Sequence, residues 1–263
     1  MSILRMLKNT LAFLTIIPVG MDEHIFNDAA RLMWTFPLYG AFIGLISGSL
    51  GLGLSFIRLP PLAVAVVMYV ALLGITGFNH MDGLLDFADA IATPTSKERR
   101  LQIMKDQYTG AAAVTTGLVV AVATIAFLSS IPPSLMIQAI VTCEASAKLG
   151  MVISAFLGPA ARKGLGEIFI NKFREKHRSA KLVASIVLCL ALSLTLGVIG
   201  MITCLAGALT GIIVTGIARR GFGGITGDVM GAINEISRAT SLAACVVGLN
   251  WGLQAWLWLG VGV

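Results

Sequence analysis

Long apolar runs recur along the whole chain, and several approach or exceed the ~20 residues that a helix needs to cross a bilayer. Few soluble folds can absorb such runs. With 57% hydrophobic residues, 12% charged residues and a mean hydropathy of +0.89, composition excludes a soluble domain. Backbone groups in lipid must be satisfied within their own segment, and the alternation of a membrane barrel strand is absent. The sequence therefore predicts an all-α integral membrane protein, a single polytopic domain over residues 1–263. Seven spans are expected, at 33–57, 60–79, 111–131, 133–157, 182–199, 201–217 and 240–261.

Gly40, Gly44 and Gly48 fall four apart in the first span, and Gly207 and Gly211 repeat this in the sixth. Small residues at that spacing mark helix packing faces. Three connections are tight: Arg58-Leu59 before Pro60-Pro61, Pro132-Pro133, and Gly200. The others, 80–110, 158–181 and 218–239, are long and charged. Of nineteen Lys and Arg residues, seventeen lie in these long loops or before the first span. Cations concentrate on the cytoplasmic side, so the N-terminus and all three long loops are expected there, in a prokaryotic cell membrane. The net charge of +6 then reflects topology and anionic lipid, with no nucleic-acid partner. Arg5 and Lys8 before "LAFLTIIPVG" mimic a signal peptide, but no small-residue cleavage site follows. The segment is too short to span and reads as a helix lying at the interface. Cys143, Cys189, Cys204 and Cys245 all fall in apolar spans without paired spacing, as inert core residues do.

Twelve of the thirteen acidic residues lie outside the spans, and they cluster. In "GFNHMDGLLDFADA" (77–90), spacings of four and three put Asp82, Asp86 and Asp89 on one helical face, where like charges repel. A cation is expected between them. In "GGITGDVMGAINEISRA" (223–239), Asp228 and Glu235 are seven apart and again share a face. Hard oxygen ligands from two loops on one side of a membrane suit Mg²⁺, completed by a substrate phosphate. Plain solvated loop charges would be interspersed with lysine, and none occurs between His80 and Ser96. Just beyond, "KERRLQIMKDQYTGAAA" (97–113) supplies Arg99, Arg100 and Lys105. Cations beside a phosphate-bridging metal serve phosphoryl transfer, although Arg99 and Arg100 serve equally as positive-inside anchors. The seven cations from Arg162 to Lys181 read mainly as topogenic. Glu144 and Lys148 lie within a span in the favourable order for a helical ion pair. They either neutralise each other or present a lysine to phosphate.

Three segments resemble the cobalamin synthase family, the adenosylcobinamide-GDP ribazoletransferases. "GFNHMDGLLDFADA" is similar to G-G-x-H-x-D-G-x-x-D-x-x-D-G/A, and "RRLQIMKDQYTGAAAV" to R-x-x-I-M-K-D-x-x-x-G-A-x-A/G. "GGITGDVMGAINEI" is similar to G-G-x-T-G-D-x-x-G-A-x-x-E. "FLTIIPVG" (13–20), "FPLYGAFIGL" (36–45) and "GPAARKGLG" (158–166) extend the resemblance from the first segment to residue 239. Lys148 departs from an expected arginine, and Phe78-Asn79 from small or aliphatic residues.

The resemblance implies that α-ribazole or its 5′-phosphate attacks adenosylcobinamide-GDP, releasing GMP and forming adenosylcobalamin or its 5′-phosphate. It implies Mg²⁺ as cofactor, with Asp82, Asp86, Asp89 and Asp228 as metal ligands. His80, Asp82, Asp86 and Lys105 become catalytic candidates, His80 orienting a carboxylate or taking the proton. Asp106, Lys148, Gly224, Thr226, Gly227, Asn234 and Glu235 become substrate-binding candidates. Homo-oligomer formation stays open. Two rival readings stand beside this one. A CDP-alcohol phosphatidyltransferase uses similar chemistry, but no Ala-Arg pair follows Asp82-Gly83 as its signature requires. A secondary transporter would put ionisable residues at the midplane, where only Glu144 and Lys148 are expected.

Overall fold

A computed structural model describes residues 2–20 and 22–253. Among these the chain forms α1 (Ile3–Leu14), α2 (Ile25–Arg31), α3 (Phe36–Phe56), α4 (Pro61–Ile75), α5 (Asn79–Ala92) and α6 (Lys97–Ile103). It continues through α7 (Ala111–Ser129), α8 (Met136–Leu157), α9 (Leu165–Arg174), α10 (Arg178–Ser193), α11 (Gly197–Phe222) and α12 (Gly227–Asn250). Extended pairing among the described residues is limited to one parallel bridge, Ala160 to Ile225.

α8 is the central post, buried from Thr142 through Ala155. The glycine faces expected from the sequence are what close the bundle around it. A Cβ at Gly40 would lie 2.3 Å from the Glu144 carbonyl oxygen, and one at Gly48 would lie 2.9 Å from Ile137 Cα. From the other side, Gly207 meets Ser146 and Gly211 meets Gly150. A Gly40→Ala substitution should therefore lower stability by about 1–3 kcal/mol through overpacking. Gly53→Ala is its control, since nothing lies within 4 Å of a Cβ there. Thermal unfolding in detergent reads the difference; equal midpoints would mean that the α3–α8 contact is not this close.

Not every expected span is a single long helix. Four helical stretches are long and apolar enough to cross a membrane: Met33–Phe56, Ala111–Ser129, Pro133–Leu157 and Arg178–Phe222. Counting α4 with α5 gives a fifth, but that pair bends by 90°. Arg178–Phe222 holds two of the expected spans, because the Cys189 and Cys204 sulfurs lie 3.3 Å apart. Fifteen residues of straight helix would separate them by about 22 Å. The reversal sits at Leu194–Gly197, where Gly197 takes φ +64°, not at Gly200. The third "loop", 218–239, is largely helical: α11 runs to Phe222 and α12 starts at Gly227. The expected span 240–261 begins inside α12, and its part beyond 253 lies outside the described residues.

Tight turns and long connections segregate as the sequence predicted. Residues of one core cluster, including Leu128, Ile131, Leu135 and Leu196, gather where the tight turns are. A second cluster, including Phe36, Leu84, Phe169, Phe222 and Val229, gathers beneath the long connections. Outward faces of α7 and α11, such as Leu118, Val122, Leu205 and Ile213, stay exposed as lipid-facing surface. α1 is a short helix with unlike faces. Its Ile3 and Leu4 face outward, while Arg5 Nε and Asn9 Nδ2 turn inward and donate to Asp28 Oδ2 at 3.2 and 2.9 Å. All four cysteines are buried and free.

Candidate active site

The acidic segment is a helix, but not a continuation of the span before it. Gly77 and Phe78 both take positive φ (61° and 60°) and turn the chain into α5. α5 then runs across the end of the bundle and packs antiparallel on α12. A Cβ at Gly83 would lie 2.9 Å from Asp228 Cα, and one at Gly231 would lie 3.0 Å from the His80 carbonyl oxygen. Those two glycines bring the first acidic motif against the third.

The middle loop is pinned to the same place. Ile225 N–H donates to Pro159 O at 2.8 Å, and Ala161 N–H donates to Ile225 O at 3.0 Å. Gly224 is needed for this pairing, since a Cβ there would sit 2.4 Å from Pro159 O. Arg162 then reaches over, donating to Leu101 O at 2.9 Å and to Asp228 Oδ2 at 3.0 Å. Thr226 caps α12, its hydroxyl accepting from Val229 N–H at 3.2 Å.

These elements enclose a cleft of about 490 Å³. Three helices present their first turns to it: α5 through Asn79, His80 and Asp82, α9 through Leu165 and Gly166, and α12 through Gly227 and Asp228. Helix N-termini carry unsatisfied N–H groups and a partial positive charge, so three converging on one cleft favour an anionic ligand such as phosphate.

The four aspartates do not share one role. Asp89, expected as a metal ligand, accepts backbone N–H bonds from Gly110 and Ala113 and so caps α7. A helix start 21 residues away took the carboxylate that local spacing assigned to a cation. Asp228 is bound by Arg162. The carboxylates of Asp82 and Asp86 make no hydrogen bond or ion pair among the described residues. Partial burial, then the charges of Asp82 and Asp228, push the Asp86 carboxyl up to about 7. Among the described residues no three His, Cys, Asp or Glu groups stand close enough to hold a metal unaided. The donor set nonetheless fits a hard cation that keeps its waters and is completed by phosphate. Asp82 and Asp86, with Asp228 across the helix crossing, would hold it. His80 is buried, and burial followed by the Lys148 and Arg238 charges holds its imidazole neutral well below the usual range. Its Nδ1 has no hydrogen-bond partner among the described residues.

Other expected site residues fall elsewhere. Lys105 and Asp106 are exposed; Asp106 accepts from Tyr108 N–H, and Lys105 meets no carboxylate among the described residues. Lys148, Asn234 and Glu235 are fully buried and absent from the cleft lining. Lys148 Nζ donates to Asn234 Oδ1 at 2.6 Å, and Asn234 Nδ2 donates to Glu235 Oε1 at 3.1 Å. Arg238 bridges Glu235 and Glu144. The expected Glu144–Lys148 pair is thus not made directly, because a planar guanidinium satisfies both carboxylates at once. Two cations escaped the sequence reading, Arg162 and Arg238, both counted among topogenic loop charges. For Arg162 a signal was present, since "GPAARKGLG" was one of the matching segments.

Bundle and cleft together define an all-helical integral membrane protein with an acidic cleft at one end. A family model, cobalamin-5-phosphate synthase, matches residues 6–246, and the chain belongs to that family. An adenosylcobinamide-GDP ribazoletransferase of Methanosarcina mazei is 30% identical, over 95% of this chain and 94% of its own. Enzymes with the same name from Halorubrum lacusprofundi and Pyrococcus abyssi are 33% and 34% identical. They cover 93% and 90% of this chain, and 98% and 95% of their own lengths. No solved structure matches the chain.

Proposed function

We propose that this protein is an Mg²⁺-dependent adenosylcobinamide-GDP ribazoletransferase. The observation that carries the reading is the convergence of three helix N-termini on one cleft, with the unpaired Asp82 carboxylate and the Arg162-bound Asp228 in its wall. In the reaction, a ribose hydroxyl of α-ribazole or its 5′-phosphate attacks the phosphoryl group that bears the cobinamide. The pyrophosphate P–O bond breaks, GMP leaves, and adenosylcobalamin or its 5′-phosphate forms. Backbone N–H groups at the starts of α9 and α12 bind phosphate oxygens. Asp82, whose carboxylate lines the cleft without a partner, accepts the hydroxyl proton, and neutral His80 stands beside it in the cleft wall. Arg162 holds Asp228 in place and adds positive charge beside the phosphates. Bound Mg²⁺ supplies charge neutralisation for the pyrophosphate. Purified protein given adenosylcobinamide-GDP, α-ribazole and Mg²⁺ should release GMP with a new corrinoid. Transport of substrate without any covalent product would overturn the reading.

The cleft is placed on the cytoplasmic side of a prokaryotic cell membrane, supported by the cations that crowd its end of the bundle. Cysteines introduced at Ser96 and Lys172 should be labelled only from the cytoplasm, and one at Arg58 only from outside. Labelling of Ser96 and Arg58 from one face would break this topology.

A further inference from the structure

The cleft has two unlike walls. Its side-chain polar groups come from one flank: Thr76 at the end of α4, Asn79, His80 and Asp82 of α5, and Asp228 of α12. The Thr76 hydroxyl is already engaged by the carbonyl oxygens of Leu72 and Leu73. The opposite flank offers no side-chain donor or acceptor. It is built on four phenyl rings, Phe13 of α1, Phe26 of α2, Phe36 of α3 and Phe169 of α9. Phe13 stacks on Phe169 with ring centroids 4.8 Å apart and meets Phe26 edge-on at 6.1 Å. Phe36 closes the group, 6.0 Å from Phe169. Half of this wall is supplied by the N-terminal helix pair, whose segment "FLTIIPVG" begins at Phe13 and has had no role so far.

We infer that this phenyl wall is the subsite for the base of the incoming riboside, and that the guanosine of the second substrate lies outside the cleft. The inference rests on the proposed ribazole transfer for the identity of the ligand. Two bases compete for the place. Guanine carries an exocyclic amine, a carbonyl and a ring N–H, and these would be stripped of water against phenyl rings with nothing to replace it. Ribazole carries an alkylated benzimidazole, a flat bicycle with a single free ring nitrogen, which loses little there and gains ring stacking. A volume of about 490 Å³ suits a nucleoside-sized ligand and leaves the corrinoid outside. With the base against the phenyl wall, the ribose points to the opposite flank, where His80, Asp82 and Asp228 await its hydroxyl and the phosphoryl group.

The wall predicts how the enzyme discriminates. Stripping an apolar base of its stacking partner weakens binding by about tenfold or more per ring. Phe26 is the ring to remove, since it is 41% exposed and not needed for the core. In detergent-solubilised full-length protein, Phe26→Ala should raise Kd and KM for α-ribazole about tenfold. Its KM for adenosylcobinamide-GDP and its Kd for GMP should stay at wild-type values. Ala12→Phe, which fills the same wall, should block α-ribazole binding selectively and serves if Phe26→Ala does not fold. Loss of GMP binding in either variant, or α-ribazole binding unchanged in both, would overturn the inference. Calorimetry keeps the two readings apart. Phe26-dependent α-ribazole binding without turnover sinks the proposed reaction and leaves the base subsite standing. Normal turnover with an indifferent Phe26 does the reverse.

Discussion

Asp86→Asn should lower turnover by about 100-fold and raise the Mg²⁺ concentration for half-maximal rate, with partial recovery in excess metal. The substitution keeps the shape of the side chain and removes one anionic oxygen from the group that Asp82 and Asp228 complete. Stability should move the other way. The Asp86 carboxyl is raised to about 7 in the folded protein, chiefly by partial burial and then by Asp82 and Asp228. A raised carboxyl binds more protons folded than unfolded, so its contribution is full below about pH 4. That contribution is lost as pH rises through about 7, and above that pH it changes no further. Metal-free wild-type protein should therefore melt progressively earlier between about pH 4 and 7, while Asp86→Asn lacks this component of the slope. Because the group is only partly buried, solvent screening keeps the effect small. Added Mg²⁺ should stabilise wild type at pH 8 and leave Asp86→Asn nearly unmoved. Unchanged turnover and unchanged Mg²⁺ dependence in this variant would reduce the aspartate face to a solvated surface, and the metal assignment would fail.

What was legible in the sequence is what local spacing controls. The i, i+4 glycines gave the packing faces of α3 and α11, and the spacings of four and three gave the α5 carboxylate face. Sorting of tight and charged connections gave the two ends of the bundle. What was not legible depends on partners far along the chain. Asp89 belongs to Gly110 and Ala113, and Asp228 belongs to Arg162, 66 residues away. Neither pairing leaves a trace in periodicity. Residues 218–239 read as a connection because Arg219, Arg220, Asp228, Glu235 and Arg238 fall within them. Inside α12, Glu235 and Arg238 are neutralised by each other and by Glu144, 94 residues from Arg238. The 90° turn before α5 was only half signalled: Gly77 is a glycine at positive φ, but Phe78 beside it takes positive φ with none of the signal that glycine gives.

Arg238→Met should be the most damaging single substitution in the bundle. Arg238 is 1% exposed and is the partner of both Glu144 and Glu235, which are fully buried. Lys148 and Arg238 balance those two glutamates, so the network is neutral as a whole. Removing the guanidinium leaves one uncompensated negative charge in the interior, a loss of about 3–5 kcal/mol. That approaches the entire stability of many folded proteins, and the variant should not accumulate in a folded form. Arg238→Lys should rescue little, because one ammonium cannot meet two carboxylates with the fork of a guanidinium. Charge counting identifies the rescue. Adding Glu144→Gln to Arg238→Met removes one charge of each sign and leaves Lys148 and Glu235 joined through Asn234. The double variant should fold again and bind α-ribazole, since none of these residues lines the cleft. Thermal unfolding and detergent-resistant yield measure both steps. A wild-type melting midpoint for Arg238→Met alone would show that Glu144 and Glu235 do not depend on it, and the charge-balanced network would be refuted.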